Sequence, residues 1–213
     1  MDLQQWRAWC HSAANRQLVI LDVRSQAAYN QGHVPGAYAF PWVDDEFEHQ
    51  LSRALRGSKP PMGIFGDPAN APPAKAALDH LGLGAQGVWD RGMEPWMAEG
   101  LPVVCDISVG ELYQNRDRFV VVDIREPHEH AGGVVPGAML LPMGHLPRRL
   151  GELDRSRDYA LICRSGSRSL NMSVWLALQG FRVHNVQHGM NAWMAAGYPL
   201  TRPQTSTGGS PAR

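Results

Sequence analysis

What most limits the folds open to this chain is that it is written twice. Leu18–Arg24 (LVILDVR) recurs as Val120–Arg125 (VVVDIR), and Gly32–Ala37 (GHVPGA) recurs as Gly133–Ala138 (GVVPGA). Asp22 and Asp123 keep the same 101-residue offset as that second block, and Trp96–Pro102 (WMAEGLP) returns as Trp193–Pro199 (WMAAGYP) at an offset of 97. Ordered recurrence of three blocks implies two units of about the same length. The expected domains are residues 1–104 and 105–204, joined near Val103 to Asp106, with a flexible tail at 205–213 too poor in apolar residues to pack.

Within each copy, short β-branched runs alternate with helical patterns, which predicts an α/β fold: in each unit a parallel sheet with helices on both faces. In the second copy the expected strands are 119–123, 159–163 and 183–186. Ser108 and Glu111 have capping-box spacing, Pro127 suits a first helical turn that Gly132 ends, and helices are expected over 169–179 and 190–196. The first copy supplies equivalents, including a helix over 74–81 preceded by Pro72 and Pro73. A first amphipathic helix carries Cys10 beside Trp6 and Trp9, all expected in the core.

Composition narrows the function. Twenty basic residues balance twenty acidic ones among 213, and 44% of the chain is apolar. That balance gives no global footprint for nucleic acid or an anionic membrane, so any anion must be captured locally. Cys10, Cys105 and Cys163 are odd in number and form no C-x-x-C pair, which fits neither a disulfide framework nor structural zinc. With no secretion signal or membrane span in the pattern, a soluble cytoplasmic protein is expected.

One loop concentrates chemistry. Leu161–Ser169 (LICRSGSRS) places Cys163 at the end of a strand with a helix just beyond, where open parallel sheets bind ligands. A loop curling around the sulfur can aim backbone N–H groups and the positive helix end at it, and Arg164 and Arg168 add cationic charge. Each effect favours thiolate, the nucleophilic form of cysteine. Gly166 permits the positive-φ turn that such a cradle needs.

With these residues the chain resembles the rhodanese family, as a tandem two-domain sulfurtransferase. The resemblance rests on the Asp-Val/Ile-Arg strand ends, the Val-Pro-Gly-Ala turns, the Cys163–Ser169 loop and the Gly189–Pro199 ending. It implies that Cys163 attacks the outer sulfur of a donor such as thiosulfate, holds it as a persulfide and passes it to cyanide or a thiol. It further implies that Arg164 and Arg168 bind the donor's oxyanion, while the backbone from Arg164 through Gly166 to Ser169 stabilises the persulfide. Ser165 and Ser167 would add hydroxyl donors. No metal and no organic cofactor is expected; the partners are a small-molecule sulfur donor and acceptor, or a thiol or persulfide protein. Two positions depart from the family pattern: Val134 stands where the turn's histidine (His33 in the first copy) is usual, and His188 where glycine is common.

Alignment through Gly82 and Gly180 sets Phe65 opposite Cys163, so the first copy has no nucleophile; its Asp67 repels anions and its loop has no arginine. This domain is expected to be inactive, to pack against the second and to wall its pocket. Asp123 and Arg125, like Asp22 and Arg24, are expected to form buried ion pairs fixing the strand ends. Cys105, at the join, is either a plain linker residue or a resolving thiol. Two other chemistries compete: a non-catalytic module docking an anion or a protein, and a cysteine phosphatase. A phosphatase loop is long enough to encircle a phosphate, whereas only four residues separate Cys163 from Arg168. A metal site at His128 and His130 or at His184 and His188 is rejected because neither pair has a third ligand nearby.

Overall fold

A computed structural model describes residues 3–14 and 18–203; the tail expected at 205–213 lies outside them. The first unit runs α1 (Leu3–Ala14), β1 (Val19–Asp22), α2 (Gln26–Gln31), β2 (Ala37–Ala39), α3 (Phe47–Leu55), β3 (Met62–Phe65), α4 (Ala71–His80), β4 (Ala85–Trp89) and α5 (Glu94–Ala98). The second runs β5 (Val104–Ile107), α6 (Val109–Gln114), β6 (Phe119–Asp123), a 3-10 turn (Pro127–Gly132) and β7 (Met139–Leu140). It continues with β8 (Asp158–Ile162), α7 (Ser167–Leu178), β9 (Arg182–Val186) and α8 (Gly189–Ala195). Each unit is a parallel sheet, ordered β2-β1-β3-β4 in the first and β5-β9-β8-β6-β7 in the second.

Strand residues sort by alternation onto two covered faces, which is why the strands read as continuous apolar runs. Val122 and Leu161 join Val174 and Leu176 of α7 on one face; Val121, Ala160 and Ile162 join Leu112, Met190 and Trp193 on the other. Fully burying a Val, Leu or Ile contributes about 1.5–3 kcal/mol. In the first unit Trp6 and Cys10 pack with Ile20, Phe65, Trp89 and Trp96.

The duplication extends to individual hydrogen bonds. Arg24 pairs with the fully buried Asp22 and donates to Gly32 O at 2.8 Å; Arg125 pairs with the fully buried Asp123 and donates to Gly133 O at 2.9 Å. Each indole of Trp96 and Trp193 donates at 2.9 Å, to Pro102 O and Pro199 O. Antiparallel bridges, His33 to Val104 and Val134 to Thr201, close the two copies in the same way.

Two helix starts are corrected, and the join takes a definite form. The join near Val103 to Asp106 is the edge strand β5, paired with β9 through Cys105 opposite His184. Helix α7 begins at Ser167 because Gly166, at φ 93°, turns the chain directly into it. Helix α4 begins at Ala71, with Pro72 and Pro73 in a first turn whose N–H groups need no helical partner. The capping box of Ser108 and Glu111 forms, with Ser108 N donating to Glu111 Oε2 at 2.7 Å.

His33 lies at the seam, its ring stacked on Tyr29 with centroids 3.8 Å apart. Nδ1 lies 3.2 Å from the Tyr29 carbonyl oxygen, which can only accept, so Nδ1 carries the proton and the buried Nε2 is bare. Burial pushes the pKa from 6.5 down to about 3. The unfolded chain therefore takes up a proton that the folded chain refuses, and stability must fall as pH drops from about 6.5. His33→Leu should flatten the loss of urea midpoint between about pH 6.5 and 4.5; identical slopes for variant and parent would contradict this assignment.

Candidate active site

Cys163 is the first residue beyond β8, at the carboxyl end of the sheet, and its side chain is 0% exposed. The loop it opens is held from outside. Met190 N donates to the Cys163 carbonyl at 2.8 Å and Asn191 N to the Arg164 carbonyl at 3.0 Å, so the first turn of α8 takes the loop's acceptors. Such close approach requires Gly189, at φ 55°, where a Cβ would collide with the Cys163 carbonyl oxygen.

With those carbonyls turned outward, loop donors face the sulfur. Gly166 N donates to Cys163 Sγ at 3.2 Å, and the Ser169 hydroxyl lies 3.5 Å from it. Burial by itself would push the Cys163 thiol up. The Ser169 hydroxyl and the backbone N–H groups of Ser169, Ser165 and Gly166 outweigh it and hold the thiol below its ordinary value. Cys10 and Cys105 have no such ring, and burial drives them up to about 12 and about 11.

The arginines of the loop differ. Arg164 is exposed and has no ion-pair partner among the described residues. Arg168 faces the sulfur from the first turn of α7, but both ends of its fork meet Glu129, at 2.7 Å each. That guanidinium holds the Glu129 carboxyl down to about 2. Nothing in the sequence marks Glu129, since it lies 39 residues from Arg168 and meets it only in the fold. Asp123 and Arg125 stand behind this pair: Arg125 donates to the Glu129 carbonyl at 3.0 Å and to Gly133 O, anchoring the turn that carries Glu129. Ser165 and Ser167 are exposed, their hydroxyls 3.5 Å apart.

Register corrects the alignment of the two loops. Asp22 pairs with Phe65 and Asp123 with Ile162, so Gly66, not Phe65, is the counterpart of Cys163. There is no space for a side chain at Gly66, where a Cβ would strike Asn70 and Val23. The loop also consumes its own donors: Ala69 N and Asn70 N donate to Asp67 Oδ1, and Asp67 N donates to Asn70 Oδ1 at 2.9 Å. This loop can neither attack nor cradle an anion.

A cavity of about 560 Å³ between the units is lined by Ala13, Tyr29 and Tyr38 on one side and Asp106, Leu170 and Asn171 on the other, without any residue of Cys163–Ser169. Cys105 donates to the Gln31 carbonyl at 3.2 Å. Among the described residues no three His, Cys, Asp or Glu side chains are grouped to hold a metal, and no helix is long and apolar enough to cross a membrane.

Comparison with known proteins gives the geometry its family. The family model described as "Rhodanese-like domain" matches twice, over residues 7–99 and 108–196. A sulfurtransferase of Allochromatium vinosum is 38% identical over 98 residues, 46% of this chain and 92% of that protein. A thiosulfate sulfurtransferase of Shewanella oneidensis is 31% identical over 93 residues, covering 42% and 92%. Among solved structures, a rhodanese-related protein of Thermoplasma volcanium is 31% identical with a TM-score of 0.43, covering 45% of this chain and 96% of that one. A thiosulfate sulfurtransferase of Pseudomonas aeruginosa covers 95% of this chain and 43% of its own length at 22% identity and a TM-score of 0.40. The repeat, the two parallel sheets and a family match covering both halves make this chain a member of the rhodanese-like family, with two such domains in tandem.

Proposed function

We propose that the protein is a sulfurtransferase that carries sulfane sulfur on Cys163. The observation that supports this best is the ring of donors around Sγ, which lets a buried sulfur hold negative charge. The Cys163 thiolate attacks the outer sulfur of thiosulfate; a Cys163 S–S bond forms, the S–S bond to the sulfite group breaks, and sulfite leaves with the electron pair. Cyanide or a thiolate then attacks the terminal sulfur of the persulfide, and Cys163 leaves as thiolate. The same ring serves both steps, because negative charge is on or next to Sγ throughout.

Charge recognition of the donor falls first to Arg164, which is open to solvent. Arg168 is already satisfied by Glu129, so a dianion must compete with a carboxylate for that fork. A less highly charged persulfide donor meets a smaller penalty, which makes such donors the main alternative to thiosulfate.

Reduced protein treated with thiosulfate should gain one sulfur atom by intact mass, and cyanide should remove it. Cys163→Ser should gain none; an adduct on that variant would overturn the mechanism. Arg168→Ala, which leaves Glu129 without its partner, should raise the thiosulfate KM. Glu129→Gln should lower it by about fivefold, from about 1 kcal/mol for a partly exposed charge pair. Steady-state kinetics of both variants check this, and a KM that moves the same way in both would place the donor elsewhere.

A further inference from the structure

A hydrogen-bonded chain leads from the interdomain cavity to the catalytic sulfur. Asn185, on β9 and buried, donates from Nδ2 to Asp106 Oδ1 on β5 at 2.8 Å. Its Oδ1 accepts from the Ser169 hydroxyl at 2.7 Å. The same hydroxyl lies 3.0 Å from Gly166 O and 3.5 Å from Cys163 Sγ. Ser169 has one hydroxyl proton for these three acceptors.

A carboxylate only accepts, so Asp106 obliges Asn185 to turn its amide N–H toward β5 and its oxygen toward Ser169. Ser169 must then donate to Asn185, since two oxygens 2.7 Å apart without a proton between them would repel. While Cys163 is a thiol the Ser169 proton therefore goes to Asn185, and it is the thiolate that draws it to Sγ. We propose that Asp106 is a positioning residue for Cys163, acting through Asn185 to withhold the Ser169 proton until negative charge develops on the sulfur. The proposal rests on Cys163 being the nucleophile.

Asp106 is placed to do more than hold a strand. It lines the cavity shared with the first domain, where Tyr29 of α2 and Cys105 of β5 feel its charge. At the other end of the chain, Arg168 with its partner Glu129 faces the sulfur.

The test is a double-mutant cycle on the pH dependence of Cys163 alkylation by iodoacetamide, read on the Cys163 peptide by mass spectrometry. The full-length protein is compared with Asp106→Ala, Ser169→Ala and the double variant. Asp106→Ala should lower the alkylation midpoint by about half a pH unit, or about threefold in rate below the midpoint. Removing a nearby negative charge also lowers that midpoint directly, but this part persists in the Ser169→Ala background. The relay therefore predicts a clearly larger shift when Ser169 is present; equal shifts in both backgrounds, or an upward shift, overturn it. Asn185→Leu, which removes the acceptor and leaves Asp106 intact, should also lower the midpoint, and no change or a rise overturns the proposal independently. Alkylation requires no sulfur donor, so a failure of the relay is distinguishable from a failure of sulfur transfer.

Discussion

A sulfur atom at 0% exposure can hold negative charge only if protein groups replace the water it has lost. Here that replacement is the Ser169 hydroxyl together with backbone N–H, and backbone N–H can face inward only where the adjoining carbonyls are satisfied outside. The α8 amides supply the outer partners by taking the carbonyls of Cys163 and Arg164. Gly189 exists at that contact because nothing larger fits, and Gly166 because the turn into α7 requires φ 93°. The sheet brings β8 and β9 side by side so that these two turns meet; the core beneath them keeps the meeting rigid.

The first domain shows that the scaffold alone does not make the site. It keeps the strand order, the buried Asp–Arg pair, the indole-to-carbonyl bond and the closing bridge. Its loop, built from Gly66, Asp67 and Asn70, spends its N–H groups on its own side chains. A carboxylate inside the loop occupies the place an external anion would take, so function has been separated from fold by a few residues in one turn.

Much of the fold was legible because duplication and alternation are local signals. Strand β6 and the Ser108 capping box follow directly from pattern. Strand β5 did not, because VCDI is four residues of an edge strand with a half-buried polar pair, and it reads like a linker after Pro102. An alignment through Gly82 and Gly180 slips by one residue because α7 has 12 residues where α4 has 10, while the loop before α7 has three residues (164–166) where the loop before α4 has four (67–70). Within the site, Cys163 and its neighbouring donors lie in one contiguous motif and were readable. Glu129 and Asp106 were not, because each acts across tertiary distance: 39 residues to Arg168, and 79 from Asp106 to Asn185.

That same edge strand gives the inactive domain a physical connection to the chemistry. Val104 of β5 exchanges two backbone hydrogen bonds with His33, at 2.9 and 3.0 Å, and two residues later Asp106 begins the chain to Asn185 and Ser169. A shift of the first domain against the second therefore moves the strand carrying Asp106, or changes what fills the cavity beside it. Hydrogen-bond geometry weakens steeply with misalignment, so a small displacement there is enough to alter which acceptor the Ser169 proton serves. The proposed relay thus starts on the strand that the first domain holds by backbone hydrogen bonds.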